Sequence, residues 1–135
     1  MATFKLQIVT PDGLLYSGEA ESLTVRSVEG DVGVLPGHIN FLTALGMGEA
    51  KIVTGGVTRR AACIGGMLSV RDNVVTLVPT TFEWADEIDL DRANRAREAA
   101  EEKLNHRERL NGQERAIAEA KLKRALVRSG VAGRK

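Results

Sequence analysis

The strongest constraint on this chain is a break in composition between Trp84 and Ala85. Residues 1–84 hold 24 of the 28 Val, Ile and Thr, all five aromatic side chains and only 14 of the 37 charges; residues 85–135 hold the other 23 charges and ten Ala. β-Branched and aromatic side chains fit a pleated, half-buried surface, whereas Ala with Leu, Glu, Lys and Arg favours helix. The expectation is an α+β chain of two domains, a β domain over 1–84 and a helical domain over 85–135.

Within the first part, Phe4, Leu6 and Ile8 alternate with Lys5 and Gln7, the period-two pattern of a strand with one wet face. Turn signals follow at Pro11-Asp12-Gly13, Glu29-Gly30-Asp31, Pro36-Gly37, Thr54-Gly55-Gly56, Gly65-Gly66 and Arg71-Asp72-Asn73. Short strands between them, including 49–53, 57–64, 67–70 and 74–78, predict hairpins in a small sandwich or barrel of eight to ten strands.

The second part predicts a helix from Leu90 to about Leu110, with Asp89 as its N-cap and Asn111-Gly112 as its stop. A second helix starts at Asn111, where Glu114 completes a capping box, and ends at Gly130. So short a connection forces an antiparallel hairpin. Its large apolar side chains are only Leu90, Leu104, Leu110, Ile117, Leu122, Leu126 and Val127, so Ala must supply the rest of any inner face. That burial barely offsets the ordering of the backbone, which predicts a hairpin that folds but opens easily. A hairpin held firmly in one conformation is the alternative.

Composition excludes several functions. Nineteen Lys and Arg against 18 Asp and Glu leave a net charge of +1, too little for a whole-molecule attraction to nucleic acid or an anionic membrane. The lone Cys63 excludes an internal disulfide and any multi-Cys zinc site, and in its strand it reads as a core residue. His38 and His106 lack spaced metal-ligand partners, so no metal centre is expected. The N-terminal alternation of polar and apolar residues is unlike a signal peptide, and no apolar run approaches a spanning helix. A soluble protein is expected, reaching a membrane only through partners. Neither phosphate-loop nor dinucleotide-binding glycine patterns occur, and no nucleophile, base and acid group together, which disfavours an enzyme.

One charged constellation stands out. Arg124 and Arg128 are spaced i, i+4 near the end of the second helix, and Asp89 and Arg92 i, i+3 at the start of the first. An antiparallel hairpin brings these ends together. Guanidinium groups grip phosphate oxygens, a helix N-terminus adds donors, and the carboxylate can accept from a ribose hydroxyl or exocyclic amine. A solvated salt-bridge network is the plainer reading of the same spacing.

Val9-Thr10-Pro11-Asp12-Gly13, Gly33-Val34-Leu35-Pro36-Gly37-His38, the Gly65-Gly66 pair and the charged hairpin together resemble the epsilon subunit of bacterial F-type ATP synthase, over essentially the whole chain. The resemblance implies a flattened N-terminal β-sandwich, here of about ten short strands, and a C-terminal helix-turn-helix. It implies a non-catalytic rotor subunit in the central stalk of a proton- or sodium-translocating synthase, peripheral at the cytoplasmic face of the cell membrane. The sandwich would dock on the gamma subunit and the membrane rotor ring, with Asp31 and His38 as ring-facing polar residues. The family's ATP motif stands here as Ile88-Asp89-Leu90-Asp91-Arg92-Ala93, and Glu83, Arg124 and Arg128 match further nucleotide-contacting positions. No cofactor is required; ATP, with or without Mg²⁺, is the implied regulatory ligand. A further family arginine falls on Ala99, with Arg95 or Arg97 as substitutes.

Residues 113–135 carry seven Lys or Arg, namely Arg115, Lys121, Lys123, Arg124, Arg128, Arg134 and Lys135, against Glu114 and Glu119. The resemblance implies that, in an extended state, such helices meet acidic segments of the catalytic alpha and beta subunits and inhibit ATP hydrolysis. A static β-sandwich interaction module without nucleotide binding, and a small β-sandwich enzyme, are the alternatives.

Overall fold

Eight strands make up the described part of the first unit: β1 Phe4–Thr10, β2 Gly13–Ala20, β3 Ser22–Ser27, β4 Gly30–Val34, β5 Phe41–Ala44, β6 Met47–Thr54, β7 Val57–Arg71 and β8 Val74–Trp84. They are seen in a computed structural model that describes residues 2–133 and divides into two compact units between Trp84 and Ala85. The hydrogen-bonded order is β2-β1-β8-β7-β6-β3-β4, with β5 also on β7. Neighbours are antiparallel except β1 and β8, which run parallel from the Lys5↔Val74 pair to Ile8↔Leu77.

The ladder folds over on itself. Phe4, Leu6 and Ile8 of β1 share one buried cluster with Leu23 and Val25 of β3, although three strands separate β1 from β3 in the ladder. The inward residues thus close a sandwich core while their neighbours stay wet. Every member of that cluster lies between Phe4 and Trp84, so the unit carries its own core.

The long strand β7 makes the fold-over possible. Its first half pairs with β6 and its second with β5, and the exchange falls at Gly65 and Gly66. Both have positive φ, 68° and 100°, open to glycine at little cost. Gly65 donates to Gly46 O at 2.9 Å and Gly66 O accepts from Leu45 N at 2.8 Å, which ties the β5–β6 connection to the crossing point. A Cβ on Gly66 would overlap the carbonyl oxygen of Val78 and come within 2.7 Å of Pro79 Cα. The expected turn at Gly65-Gly66 is therefore a layer crossing inside one strand of 15 residues. Strands 57–64 and 67–70 fuse, and the described count is eight instead of about ten.

Cys63 sits in β7 between Gly48 of β6 and Phe82 of β8 and is 3% exposed. Burial pushes its thiol from the ordinary 9.0 up to about 12. Only the thiolate attacks disulfide reagents, so a chromogenic disulfide should react with native protein far more slowly than with unfolded protein. The unfolded chain releases this proton near pH 9 and the native chain holds it to about pH 12. The native state then binds more protons in that window, and this group's contribution to stability falls as pH rises through it. Urea melts of Cys63→Ala should lack that part of the alkaline decline.

The second unit begins with a 3₁₀ turn, Ala85–Glu87, followed by α1 Leu90–Asn105, a 3₁₀ turn Arg107–Arg109 and α2 Gly112–Ala132. Asp89 caps α1, its Oδ1 accepting from Arg92 N at 3.0 Å. Asn111 Oδ1 accepts from Glu114 N at 2.7 Å and Glu114 Oε1 from Asn111 N at 3.3 Å, a complete capping box for α2. The first helix ends earlier than expected near Leu110. His106 leaves helical geometry at φ −118° and ψ 39°, its N–H satisfies Lys103 O at 3.1 Å, and the chain tightens into the 3₁₀ turn. The second helix runs past Gly130 to Ala132. Val131 and Ala132 are buried there, and that burial offsets the roughly 1 kcal/mol cost of an interior glycine. Among the described residues no helix is long and apolar enough to cross a membrane.

Candidate functional site: a cationic groove in the helical hairpin

The seam between α1 and α2 is built largely of alanine. Ala93, Ala100 and Leu104 are buried on α1, and Ala118, Ala125 and Ala132 recur every seven residues on α2. That repeat keeps one stripe of each helix turned to the other. Across the seam Ser129 Oγ donates to Asn94 Oδ1 at 3.1 Å, which fixes the antiparallel register at the end near Asp89.

Alongside the seam runs an open groove of about 280 Å³. Ala96, Ala99, Ala100 and Ala118 form its floor, and Lys103, Lys121, Arg124 and Arg128 its rim. No acidic side chain is among the lining residues. Guanidinium and ammonium groups hydrogen-bond phosphate oxygens with charge assistance, so four cations beside one apolar floor offer donors of the kind that phosphate groups accept from.

Of the residues expected to touch ATP, Arg124 and Arg128 line this groove. Asp89 and Arg92 stand at the start of α1, joined by the cap hydrogen bond, with the Arg92 side chain exposed. Ile88 and Ala93 are each 5% exposed and serve as packing residues beside that cap. Glu83 belongs to β8 in the first unit, where it pairs with Ala62. Ala99 forms part of the floor. Neither suggested substitute lines the groove: Arg95 is exposed, and Arg97 Nε pairs with Glu101 Oε1 at 3.3 Å. Sequence reasoning leaves out Lys103 and names Lys121 only within the basic run of the second helix, not beside Arg124 and Arg128. Lys103 lies four residues beyond Ala99 and Lys121 three before Arg124, so extending each helical face by one turn finds them. Of the basic residues in 113–135, Arg134 and Lys135 lie outside the described residues.

The residues expected to face a rotor ring lie apart from each other in the first unit. Asp31, at the start of β4, accepts an ion pair from Arg26 Nε at 2.9 Å. His38 follows the other end of β4 in a turn closed by its N–H on Leu35 O at 3.1 Å, and its ring lies 5.0 Å from that of Phe41. Gly37 in that turn donates to Asn73 Oδ1 at 2.8 Å. Leu35, Ile39 and Leu42 beside His38, and Val28 beside Asp31 in sequence, are 63–77% exposed. Among the described residues no group of three or more His, Cys, Asp or Glu is arranged to hold a metal ion.

Residues 3–85 match the family described as the beta-sandwich domain of the ATP synthase Delta/Epsilon chain, and residues 86–133 match its long alpha-helix domain. The chain is 40% identical to the ATP synthase epsilon chain of Bacillus pumilus, over 99% of this chain and all of that one. It is 42% identical to that of Bacillus velezensis, over 98% and 99%. A chain in a structure of the Euglena gracilis mitochondrial ATP synthase that includes the c-ring superposes with a TM-score of 0.84 at 25% identity, covering all of this chain and 83% of that one. A chain in a structure of the central stalk and c-ring of the Tetrahymena thermophila mitochondrial ATP synthase shares the fold, with a TM-score of 0.68 at 14% identity over 95% of each. On full-length likeness to bacterial epsilon chains and matches to both domains, this chain belongs to the ATP synthase Delta/Epsilon chain family.

Proposed function

We propose that this chain is a central-stalk subunit of a bacterial F-type ATP synthase, peripheral at the cytoplasmic face of the membrane, that couples the catalytic head to the rotor ring of a proton- or sodium-translocating enzyme. In this reading the sandwich docks on the gamma subunit and the ring, with Asp31, His38 and the exposed Leu35, Ile39 and Leu42 beside His38 offered as the contact surface. The hairpin regulates. Full-length likeness to epsilon chains supports the stalk role, and the groove rimmed by four cations is the single observation that carries the regulatory one.

The chemistry follows from the groove's two walls. Arg124 and Arg128 come from α2, the alanine floor and the Asp89 cap largely from α1, so a nucleotide lying along the seam touches both helices. Asp89 Oδ1 is engaged by Arg92 N, and the other carboxylate oxygen is the acceptor for a ribose hydroxyl or exocyclic amine. Once the helices part, no such site exists, and ATP shifts the population to the closed hairpin by its differential affinity. The open α2, with five Lys and Arg in 113–133 against Glu114 and Glu119, seeks acidic segments of the alpha and beta subunits and obstructs hydrolysis. Because the same arginines serve nucleotide and acidic partner, the two uses compete.

Calorimetric titration of the full chain with ATP, with and without Mg²⁺, tests the site. Arg124→Ala and Arg128→Ala should each weaken binding by about 1.5 to 3 kcal/mol if the charge-assisted bonds are direct. Unchanged titrations in both, and in Asp89→Ala and Arg92→Ala, would move the site elsewhere.

A further inference from the structure

Residues 35–40, between β4 and β5, belong to no strand, yet they are tied to a turn 32 to 36 residues further along the chain. Gly37 N donates to Asn73 Oδ1 at 2.8 Å. Asn40 Oδ1 accepts from Asp72 N at 2.8 Å, and its Nδ2 donates to Asp72 Oδ1 at 3.4 Å. Asp72 and Asn73 are the two central residues of the β7–β8 turn, with φ of 49° and 63°, both in the left-handed region that a type I′ hairpin turn needs. Glycine is the least strained residue for the second of those positions. Asn73 carries a side chain there, and both of its polar atoms are engaged, Oδ1 by Gly37 and Nδ2 by Thr3 O at 2.9 Å. A primary amide offers one acceptor and one donor at the same place, whereas an ionised aspartate offers acceptors alone and glycine neither.

We infer that Asn73, seconded by Asn40, is a positioning residue for the 36–40 loop, holding His38 and Ile39 in the pose in which the sandwich meets the rotor ring. The loop is bonded at Gly37 and again at Asn40, so the two residues between them have little freedom left. His38 Nδ1 donates to Ile39 O at 2.8 Å and its ring lies against that of Phe41, while the Ile39 side chain is left 77% exposed. An apolar side chain on a loop already held loses little further backbone entropy when a partner covers it, and preorganisation of that kind raises affinity. None of residues 35–40 or 71–73 belongs to the buried core cluster, so these bonds shape the surface and contribute little to the stability of the sandwich. The docking half of this inference rests on the ring-contact reading above; the anchoring half does not.

The test compares the wild-type full chain with Asn73→Gly, Asn73→Asp and Ile39→Ser. Asp-Gly is a favoured type I′ pair, so Asn73→Gly keeps the turn and removes only the side-chain bonds. Backbone amide exchange followed by nuclear magnetic resonance reads the anchoring. The Gly37 N–H should exchange about tenfold faster in Asn73→Gly and less than about threefold faster in Asn73→Asp, which keeps the acceptor. Exchange along β7 and β8 and the urea midpoint should hardly change. Binding to the detergent-solubilised rotor ring with gamma reads the docking, and Asn73→Gly and Ile39→Ser are each expected to lose about tenfold in affinity. Unchanged Gly37 exchange in Asn73→Gly would overturn the inference, as would equal acceleration throughout the β7–β8 ladder, the sign of general loosening. If Ile39→Ser weakens ring binding and Asn73→Gly does not, positioning for docking is overturned while the ring reading stands. Gly37 exchange raised in Asn73→Gly, with ring binding unaltered in both variants, would keep the anchoring and sink the ring reading.

Discussion

Replacing Gly66 by Ala is expected to cost the sandwich about 3 kcal/mol or more, which is a large share of the stability of a domain this size. Two penalties act at the same atom. The left-handed backbone at φ 100° disfavours any side chain, and the new methyl group would stand where the Val78 carbonyl and Pro79 Cα already are. Neither neighbour is a flexible side-chain tip, so relief requires β7 and β8 to separate at the crossing. Gly55→Ala is the control: that residue also has positive φ, at 57°, but its Cβ would meet nothing within 4 Å. Urea denaturation of the two variants should show the difference, and equal midpoints would refute the crowding account of the crossing.

A complex reconstituted with a chain ending at Trp84 is expected to hydrolyse ATP about fivefold faster, or more, at low ATP than one holding the full chain. The truncated chain keeps every residue of the sandwich core, so docking to gamma and the ring should persist. At high ATP the two preparations should converge if, as proposed, nucleotide holds the hairpin closed and withdraws α2 from its acidic partner. With Arg124 and Arg128 both replaced by Ala, inhibition should weaken and its dependence on ATP should flatten, since the same side chains serve both states. Equal hydrolysis by full-length and truncated preparations at every ATP concentration would discard the inhibitory element and leave only coupling through the sandwich.

How far the sequence announces these features depends on whether the signal is local. The α+β class follows from the segregation of β-branched residues from alanine and charge, and the cap at Asp89 and the box of Asn111 with Glu114 are visible because they need only neighbours three residues apart. β2 is harder to see: Leu14 and Leu15 are 62% and 43% exposed, so its apolar side chains do not alternate towards the core. Gly65-Gly66 has the composition of a turn, and only the pairing of β7 with two different strands makes it a crossing. The end of α1 at Asn105 is hidden because Arg107, Glu108 and Arg109 continue the charged pattern of the helix through the 3₁₀ turn. The site divides in the same way. Arg124 and Arg128 announce themselves by i, i+4 spacing, whereas Lys103 and Lys121 join them only once two helices pack and one side of the seam is left open.

The parallel pairing of β1 with β8 sets an order on biosynthesis. Residues 5–8 have no second ladder partner until residues 74–77 exist, so the first strand emerging from the ribosome waits for the last. At about 5 to 20 residues per second that wait lasts several seconds, with one edge of the β1–β2 hairpin unpaired. Contacts so distant in sequence also slow folding once the strands are available, because the loop must close before the pairing is gained. Nascent chains stalled before Val74 should therefore be protease-sensitive and prone to edge-to-edge association, while those that have released Trp84 fold the sandwich before the hairpin has been made.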